Sequence, residues 1–191
     1  MHSDYRSKSR KANSDKSKSF STGDYETKST SVFDYILRAL YKIAYRGHLV
    51  ANYFLRSETQ GAYVAIWHEG QILLIRNSYK STYTIPCGGI DRGETPVEAA
   101  SRELFEEVGL DFSTEAFSQV FETINHTEFK KDHIFLFEVN LEALPIPQPD
   151  GREVIWAGFR TLEDALKIPL FPPVRDYLLQ KRILIEETDY L

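Results

Sequence analysis

Apolar and polar positions follow two different periods along the chain, and together they predict a layered domain. The segments AYVAIWH and QILLIR, joined by Glu69-Gly70, are typical of a β-hairpin, because glycine readily forms a tight turn. Thr95 to Val108 predicts a helix that begins with a capping box at Thr95 and ends at Gly109. Further strands are predicted in FSQVFETI, HIFLFEV and EVIWAGF, and further helices over 161–166 and 174–185. Such interspersed elements indicate an α/β (α+β) fold with a mixed sheet.

An additional amphipathic helix is predicted before this domain, over residues 32–58. Apolar residues recur near a helical period between Phe33 and Leu55, while Arg38, Lys42 and Arg46 form a basic row. Four partners for the apolar face stay open: the chain's own domain, a second copy in a homodimer, another protein, and a weak contact with a membrane surface through residues 33–55.

Residues 1–31 differ in composition from the rest of the chain. They are rich in Ser and Lys and contain almost no aliphatic residues, so they cannot bury enough apolar area to offset the entropy of ordering. We expect a disordered tail there. Residues 1–32 hold seven Lys/Arg against four Asp/Glu, whereas residues 33–191 hold 16 against 24. Because such an acidic body repels nucleic acid, we expect no stable nucleic-acid partner.

Composition narrows the class of protein further. With 191 residues, of which 42% are hydrophobic, the chain can build one packed domain, which we expect to span residues 59–191. No apolar run reaches the length of a transmembrane helix, and the first residues contain no apolar signal segment. A single cysteine cannot form an internal disulfide, so a reduced, cytoplasmic setting is expected.

Three glutamates in the predicted helix are the main candidates for chemistry. Glu103, Glu106 and Glu107 are spaced i, i+3 and i+4, which places them on one side of a helix, beside the apolar stripe. Like charges at this spacing oppose folding by about 0.2–0.5 kcal/mol, and more where water is excluded. A divalent cation such as Mg²⁺ or Mn²⁺ relieves that repulsion, since both prefer oxygen ligands. Arg102 can pair with Glu94, so it is interpreted as an organiser of the loop before the helix.

The same segment resembles the Nudix box, GX₅EX₇REUXEEXGU with U an aliphatic residue. The specified positions are all matched, by Gly88, Glu94, Arg102, Glu103, Leu104, Glu106, Glu107, Gly109 and Leu110. The flanking elements also resemble the family's layout over residues 59–191. This resemblance implies a mixed sheet between helices, and hydrolysis of a nucleoside diphosphate linked to another moiety with Mg²⁺ or Mn²⁺.

Roles for individual residues follow from that resemblance. Glu103, Glu106 and Glu107 would bind the metal, together with the backbone carbonyl of Cys87, where many family members have glycine. A general base would take a proton from the attacking water. Either Glu106 or Glu153 matches a position that the family uses for this base, and the residues do not decide between them. Arg102 is included among the catalytic candidates as the residue that organises the loop before the helix.

The substrate is much less constrained by the sequence than the metal site is. Cations and aromatic residues near the box could contact phosphates or stack on a base, and the candidates are Arg76, Tyr79, Lys80, Tyr83 and Phe159. The resemblance implies a small nucleotide, such as a nucleotide sugar or a non-standard nucleoside triphosphate. The alternative is a catalytically silent Nudix domain that senses nucleotides or binds a protein, although no box glutamate is missing.

Overall fold

The computed structural model describes residues 24–27 and 31–188. Seven strands lie within these ranges: β1 (Tyr25–Glu26), β2 (Glu58–His68), β3 (Gln71–Asn77), β4 (Cys87–Gly89), β5 (Ser118–Asn125), β6 (Lys131–Asn140) and β7 (Val154–Thr161). Four α-helices accompany them: α1 (Val32–Leu55), α2 (Pro96–Val108), α3 (Leu162–Lys167) and α4 (Pro172–Thr188). Short 3₁₀ turns occupy Thr114–Ala116 and Thr127–Phe129.

All seven described strands belong to one mixed sheet. Its order is β1-β7-β3-β2-β6-β5, and β4 pairs with β2 beside this path. The pairing of β2 with β6 is parallel, and the other pairings are antiparallel. The predicted hairpin is present as β2 and β3, with positive φ angles at Glu69 and Gly70. The predicted mixed sheet is therefore confirmed.

Helices cover both faces of this sheet, because successive strand residues point to opposite sides. Val64 of β2 belongs to an apolar cluster with Leu104 of α2. Trp67 of the same strand faces the other way, in a cluster with Leu178 of α4. The fold is thus a three-layer α/β/α sandwich, and α2 is held against one face of the sheet.

The N-terminal amphipathic helix is continuous through Gly47. The Ser31 hydroxyl accepts a hydrogen bond from Phe33 N at 3.2 Å, and Arg56 ends the helix in the left-handed conformation. Asn52 is the one buried residue of α1, so this helix packs far less deeply than α2. Within the described ranges, no helix is both long and apolar enough to cross a membrane.

The structure differs from the predicted disordered tail at the few tail residues that it describes. Residues 1–23 and 28–30 of that tail lie outside the described residues. Tyr25 and Glu26, however, pair with Ala157 and Trp156 of β7. The edge of a sheet presents unpaired backbone groups that any extended segment can use, whatever its side chains. The polar composition of the tail therefore gave no signal for this short strand.

Candidate active site

Strand β4 approaches α2 so closely at Gly88 that any side chain there would displace the Glu103 carboxylate. A Cβ on Gly88 would lie 2.0 Å from the carboxyl carbon of Glu103, whereas one on Gly89 would meet nothing within 4 Å. The Glu103 carboxylate therefore rests directly on the backbone of β4. Capping fixes the start of α2 as predicted: the Thr95 hydroxyl accepts from Glu98 N, and the Glu98 carboxylate accepts from Thr95 N.

Arg102 fastens this loop to the helix. Its guanidinium donates to both carboxylate oxygens of Glu94, at 2.9 and 3.0 Å, and to the Gly89 carbonyl at 2.9 Å. It also donates to Glu103 at 2.7 Å and lies 3.6 Å from Glu106. A planar guanidinium can satisfy several acceptors at once, which an ammonium group cannot do in the same geometry. The structure thus brings Arg102 and Glu94 together as the sequence predicts.

Glu107 is the most deeply buried of the three glutamates, at 5% exposed. One of its carboxylate oxygens accepts a hydrogen bond from Cys87 N at 2.9 Å. Burial raises the pKa of Glu107 well above its ordinary value, although the Cys87 N–H opposes this shift. The neighbouring charges of Glu153, Glu103 and Asp150 raise that pKa further. A buried anion with anionic neighbours is unfavourable unless a cation joins it.

Glu153 comes from a different part of the chain and lies near the same cluster. The Tyr79 hydroxyl donates a hydrogen bond to its carboxylate at 2.5 Å. Its backbone N–H donates to the carboxylate of Asp150, which also accepts from Val154 N at 2.7 Å. Asp150 N in turn donates to the Glu107 carbonyl at 3.2 Å. Asp150, which the sequence did not single out, therefore fixes the Glu153 loop to the end of α2.

A cavity of about 370 Å³ lies beside these carboxylates. Gly88, Gly89 and Glu153 form part of its wall, and α1 adds Tyr45 and His48. The lining also includes Tyr79, Lys80, Glu128 and Phe171. The sequence did not identify Tyr45, His48 or Glu128, because they are distant from the box in sequence and carry no motif. Polar walls with several aromatic rings suit a planar, charged ligand.

One cluster ties α1 to this cavity. Lys80 Nζ lies 2.8 Å from the Glu128 carboxylate, which also accepts a hydrogen bond from the Tyr45 hydroxyl at 2.9 Å. The same ammonium lies 5.3 to 5.9 Å from the ring centroids of Tyr45, Tyr79 and Phe171. Burial and the hydrogen bond to Glu128 raise the pKa of Tyr45 to about 12, so its hydroxyl stays protonated and donates.

The remaining predicted substrate contacts lie elsewhere. Arg76 lies over the Tyr83 ring, 5.9 Å from its centroid, and Tyr83 contacts Trp156 edge-on. Phe159 is 2% exposed and packs in the core on the α2 side of the sheet. The strand that carries Phe159 is covered on both faces, which explains why an aromatic residue there packs inward. These three residues do not line the cavity, whereas Tyr79 and Lys80 do.

The carboxylates around α2 differ in how they are placed for a divalent cation. Across residues 24–27 and 31–188, no three His, Cys, Asp or Glu side chains converge closely enough to form a ready-made metal centre. Glu103 and Glu106 turn toward Arg102, and the Glu106 side chain is 57% exposed. All the donors are nevertheless hard oxygen atoms, and in the described chain Glu107 has no ion pair. The chemistry of the donors fits a divalent cation, while Arg102 holds two of them aside.

A family model matches the domain described above. The chain matches the NUDIX domain over residues 58–181, and it belongs to the Nudix family. Members of this family generally use divalent metal cations.

Individual relatives match parts of the chain. It is 52% identical over 42 residues to an RNA pyrophosphohydrolase of Psychrobacter cryohalolentis, a match that covers 22% of this chain and 24% of that protein. It is 31% identical over 103 residues to phosphatase NudJ of Shigella boydii, a match that covers 52% of this chain and 65% of that protein. The match thus spans a quarter to two thirds of these relatives. A solved Ap4A hydrolase of C. elegans shares the fold, with a TM-score of 0.57 and 22% identity over 68% of this chain and 98% of that one.

Proposed function

We propose that the protein is a divalent-cation-dependent pyrophosphohydrolase that acts on a nucleoside diphosphate linked to another moiety. The observation that carries this proposal is the buried Glu107 carboxylate, surrounded by Glu103, Glu153 and Asp150 and raised in pKa by its burial. An anionic cluster of this kind is stable next to a phosphate only when cations neutralise both. Pyrophosphohydrolase and phosphatase relatives support the reaction class.

Glu103, Glu106, Glu107 and the Cys87 carbonyl would hold Mg²⁺ or Mn²⁺. Bound there, such an ion supplies charge neutralisation for the diphosphate and lowers the pKa of an attacking water. Arg102 acts as a positioning residue, since it fastens Glu94 and the Gly89 carbonyl to α2, and Glu103 and Glu106 would exchange their pairing with Arg102 for the cation. The loop and helix therefore keep their spacing while the substrate binds.

We propose Glu153 ahead of Glu106 as the general base. Glu153 forms part of the cavity wall, and its carboxylate is oriented by the Tyr79 hydroxyl. Glu106 is more exposed and does not line the cavity. Glu153→Gln is expected to lower kcat by about 10²–10⁴-fold with little change in metal affinity. Glu106→Gln should chiefly weaken metal binding, and the reverse pattern in kcat and metal titrations would reverse the assignment.

The substrate is proposed to be a small nucleotide, such as a nucleotide sugar or a non-standard nucleoside triphosphate. Tyr45 and Tyr79 offer ring faces to a base, and Lys80 offers a charge to a phosphate. We propose a cytoplasmic setting, which the free thiol of Cys87 supports. A homodimer and a membrane surface are both candidates for the exposed side of α1.

The test of the reaction is a turnover screen. Purified full-length protein is mixed with dinucleotides, nucleotide sugars and modified nucleoside triphosphates, with Mg²⁺, with Mn²⁺, or with a chelator. We expect cation-dependent cleavage of at least one substrate class, which Glu107→Gln abolishes. Glu142→Gln, an exposed glutamate outside the site, is the matched control and should match wild type. No turnover above the Glu107→Gln level would favour a silent, nucleotide-binding domain instead.

A further inference from the structure

Helix α1 has two faces with different chemistry. Its inner face touches the domain through polar groups and tyrosine rings: Arg38 donates to the Gly151 carbonyl at 2.7 and 3.0 Å, Asn52 donates to the Glu128 carbonyl at 3.3 Å, and the Tyr45 ring lies 5.1 Å from that of Tyr79. The outer face is apolar and consists of side chains that are 52 to 77% exposed, namely Val32, Phe33, Ile36, Leu40, Ile43, Val50 and Phe54. At 3.6 residues per turn, these side chains fall within an arc of about 100°.

The outer face is too long and too apolar to be an ordinary solvated surface. From Val32 to Phe54 it runs for about 33 Å along the helix axis. Isolated exposed apolar residues are common on proteins, but a continuous stripe of this length marks an interaction surface. Because the cavity lies on the inner side of α1, a partner on the outer face leaves the cavity open.

The charges beside this stripe are mainly positive. From Val32 to Phe54, α1 contains three cations, Arg38, Lys42 and Arg46, and one acid, Asp34, which lies 4.0 Å from Arg152 of the domain. Lys42 and Arg46 are exposed and lie one turn apart along one border of the outer face. The wider chain is polarised in the same way: residues 1–57 hold eleven Lys/Arg against five Asp/Glu, and residues 58–191 hold twelve against 23. The complementary partner is therefore apolar at its centre and anionic at its surface.

An antiparallel pair of α1 helices does not meet that requirement. Lys42 and Arg46 lie near the middle of α1, so an antiparallel pair of these helices would bring four cations together. No carboxylate between residues 35 and 57 could neutralise them. The interface of an anionic bilayer supplies both missing features, since its headgroups carry negative charge above an apolar layer.

We propose that the outer face of α1 docks the protein on the interface of an anionic membrane, with the helix lying flat. The helix does not span the bilayer, because its inner face is engaged with the domain. Apolar side chains enter the acyl boundary while Lys42 and Arg46 contact anionic headgroups. This proposal does not depend on the proposed hydrolysis, and a failure of one leaves the other standing.

The test is co-sedimentation of the full chain with vesicles of phosphatidylcholine alone, or of phosphatidylcholine with phosphatidylglycerol. Wild type should bind the anionic vesicles much more strongly than the neutral ones. Lys42→Glu/Arg46→Glu should lower the partition coefficient by at least about 30-fold, since two cations are lost. Ile36→Gln/Ile43→Gln/Phe54→Gln should lower it by at least about tenfold.

A matched control removes apolar side chains from another helix. Ile183→Gln/Leu184→Gln changes two exposed residues of α4, and it should bind vesicles as wild type does. Thermal unfolding of every variant shows whether the domain is intact. Equal binding to neutral and anionic vesicles, or equal losses in the control, would overturn the proposal. The proposal would also be overturned if the wild-type protein bound neither kind of vesicle but formed a dimer that the triple variant cannot form.

Discussion

Helices α1 and α2 are both amphipathic, but they turn opposite sides toward the domain. α2 buries its apolar stripe on the sheet, so the glutamates at the edge of that stripe are drawn out of water. α1 turns hydrogen-bonding groups inward and leaves apolar side chains exposed, with Ile43 at 65%. In each helix, the side that is buried therefore decides which groups are left for chemistry or for binding. Partial burial perturbs charges at the edge of α2, whereas exposure leaves α1 an attachment surface.

The largest expected effect separates function from stability in α2. Glu107→Gln should lower kcat/KM by at least about 10³-fold, because a proposed metal ligand loses its charge. The amide oxygen can still accept from Cys87 N, and an unfavourable buried charge is removed. The free energy of unfolding should therefore rise by about 1 kcal/mol. Steady-state kinetics and urea unfolding of the same preparation measure both; a large loss of stability would contradict the account of Glu107.

The contact between the β4 loop and α2 can be broken with a matched pair of variants. Gly88→Ala places a methyl group into the Glu103 carboxylate, and overpacking of this kind typically costs about 1–3 kcal/mol. Gly89→Ala, its neighbour, meets nothing within 4 Å and should be nearly neutral. Chemical denaturation compares the two. If both variants lose the same stability, then loop flexibility matters more than the close approach at Gly88.

The elements of the sandwich could largely be predicted because their signals are local. The capping box of Thr95 and Glu98, and the glycine that ends α2, define that helix without reference to the rest of the chain. The spacing of the box glutamates places them on one side of α2, and Arg102 meets Glu94 as expected. Each of these features depends on residues fewer than ten positions apart.

The rest of the site depends on contacts that no local pattern encodes. Tyr45 meets Glu128 across 83 residues, and Glu128 and Phe129 have positive φ angles without any glycine to indicate them. Tyr25 pairs with β7 although more than 130 residues separate the two in sequence. The spacing of Glu103 and Glu106 alone predicts that both face a shared cation, whereas in the structure both pair with Arg102. Tertiary packing decides all of these.

The N-caps of the two helices offer a milder test of the comparison. Thr95→Ala removes the cap of α2, and because α2 is part of the core, global stability should fall by about 1 kcal/mol. That loss corresponds to a Tm lower by about 2–4 °C. Ser31→Ala removes the cap of α1, which is attached to the domain by few buried groups. We expect frayed amides at the start of α1 in hydrogen exchange and an unchanged Tm; equal Tm losses would mean that both helices unfold with the core.

The smallest expected effect concerns the inner face of α1. Tyr45→Phe keeps the ring beside Lys80 and removes only the hydroxyl that donates to Glu128, which should weaken docking of the helix by about 0.5–1 kcal/mol. Hydrogen exchange of α1 amides should therefore quicken two- to fivefold, and KM for a cleaved nucleotide should rise while kcat stays within twofold. Tyr35→Phe, at a tyrosine that is 63% exposed on the same helix, is the control and should change neither. If the two variants behave alike, Tyr45 contributes only its ring to the cavity, and its hydroxyl does not hold α1 to the domain.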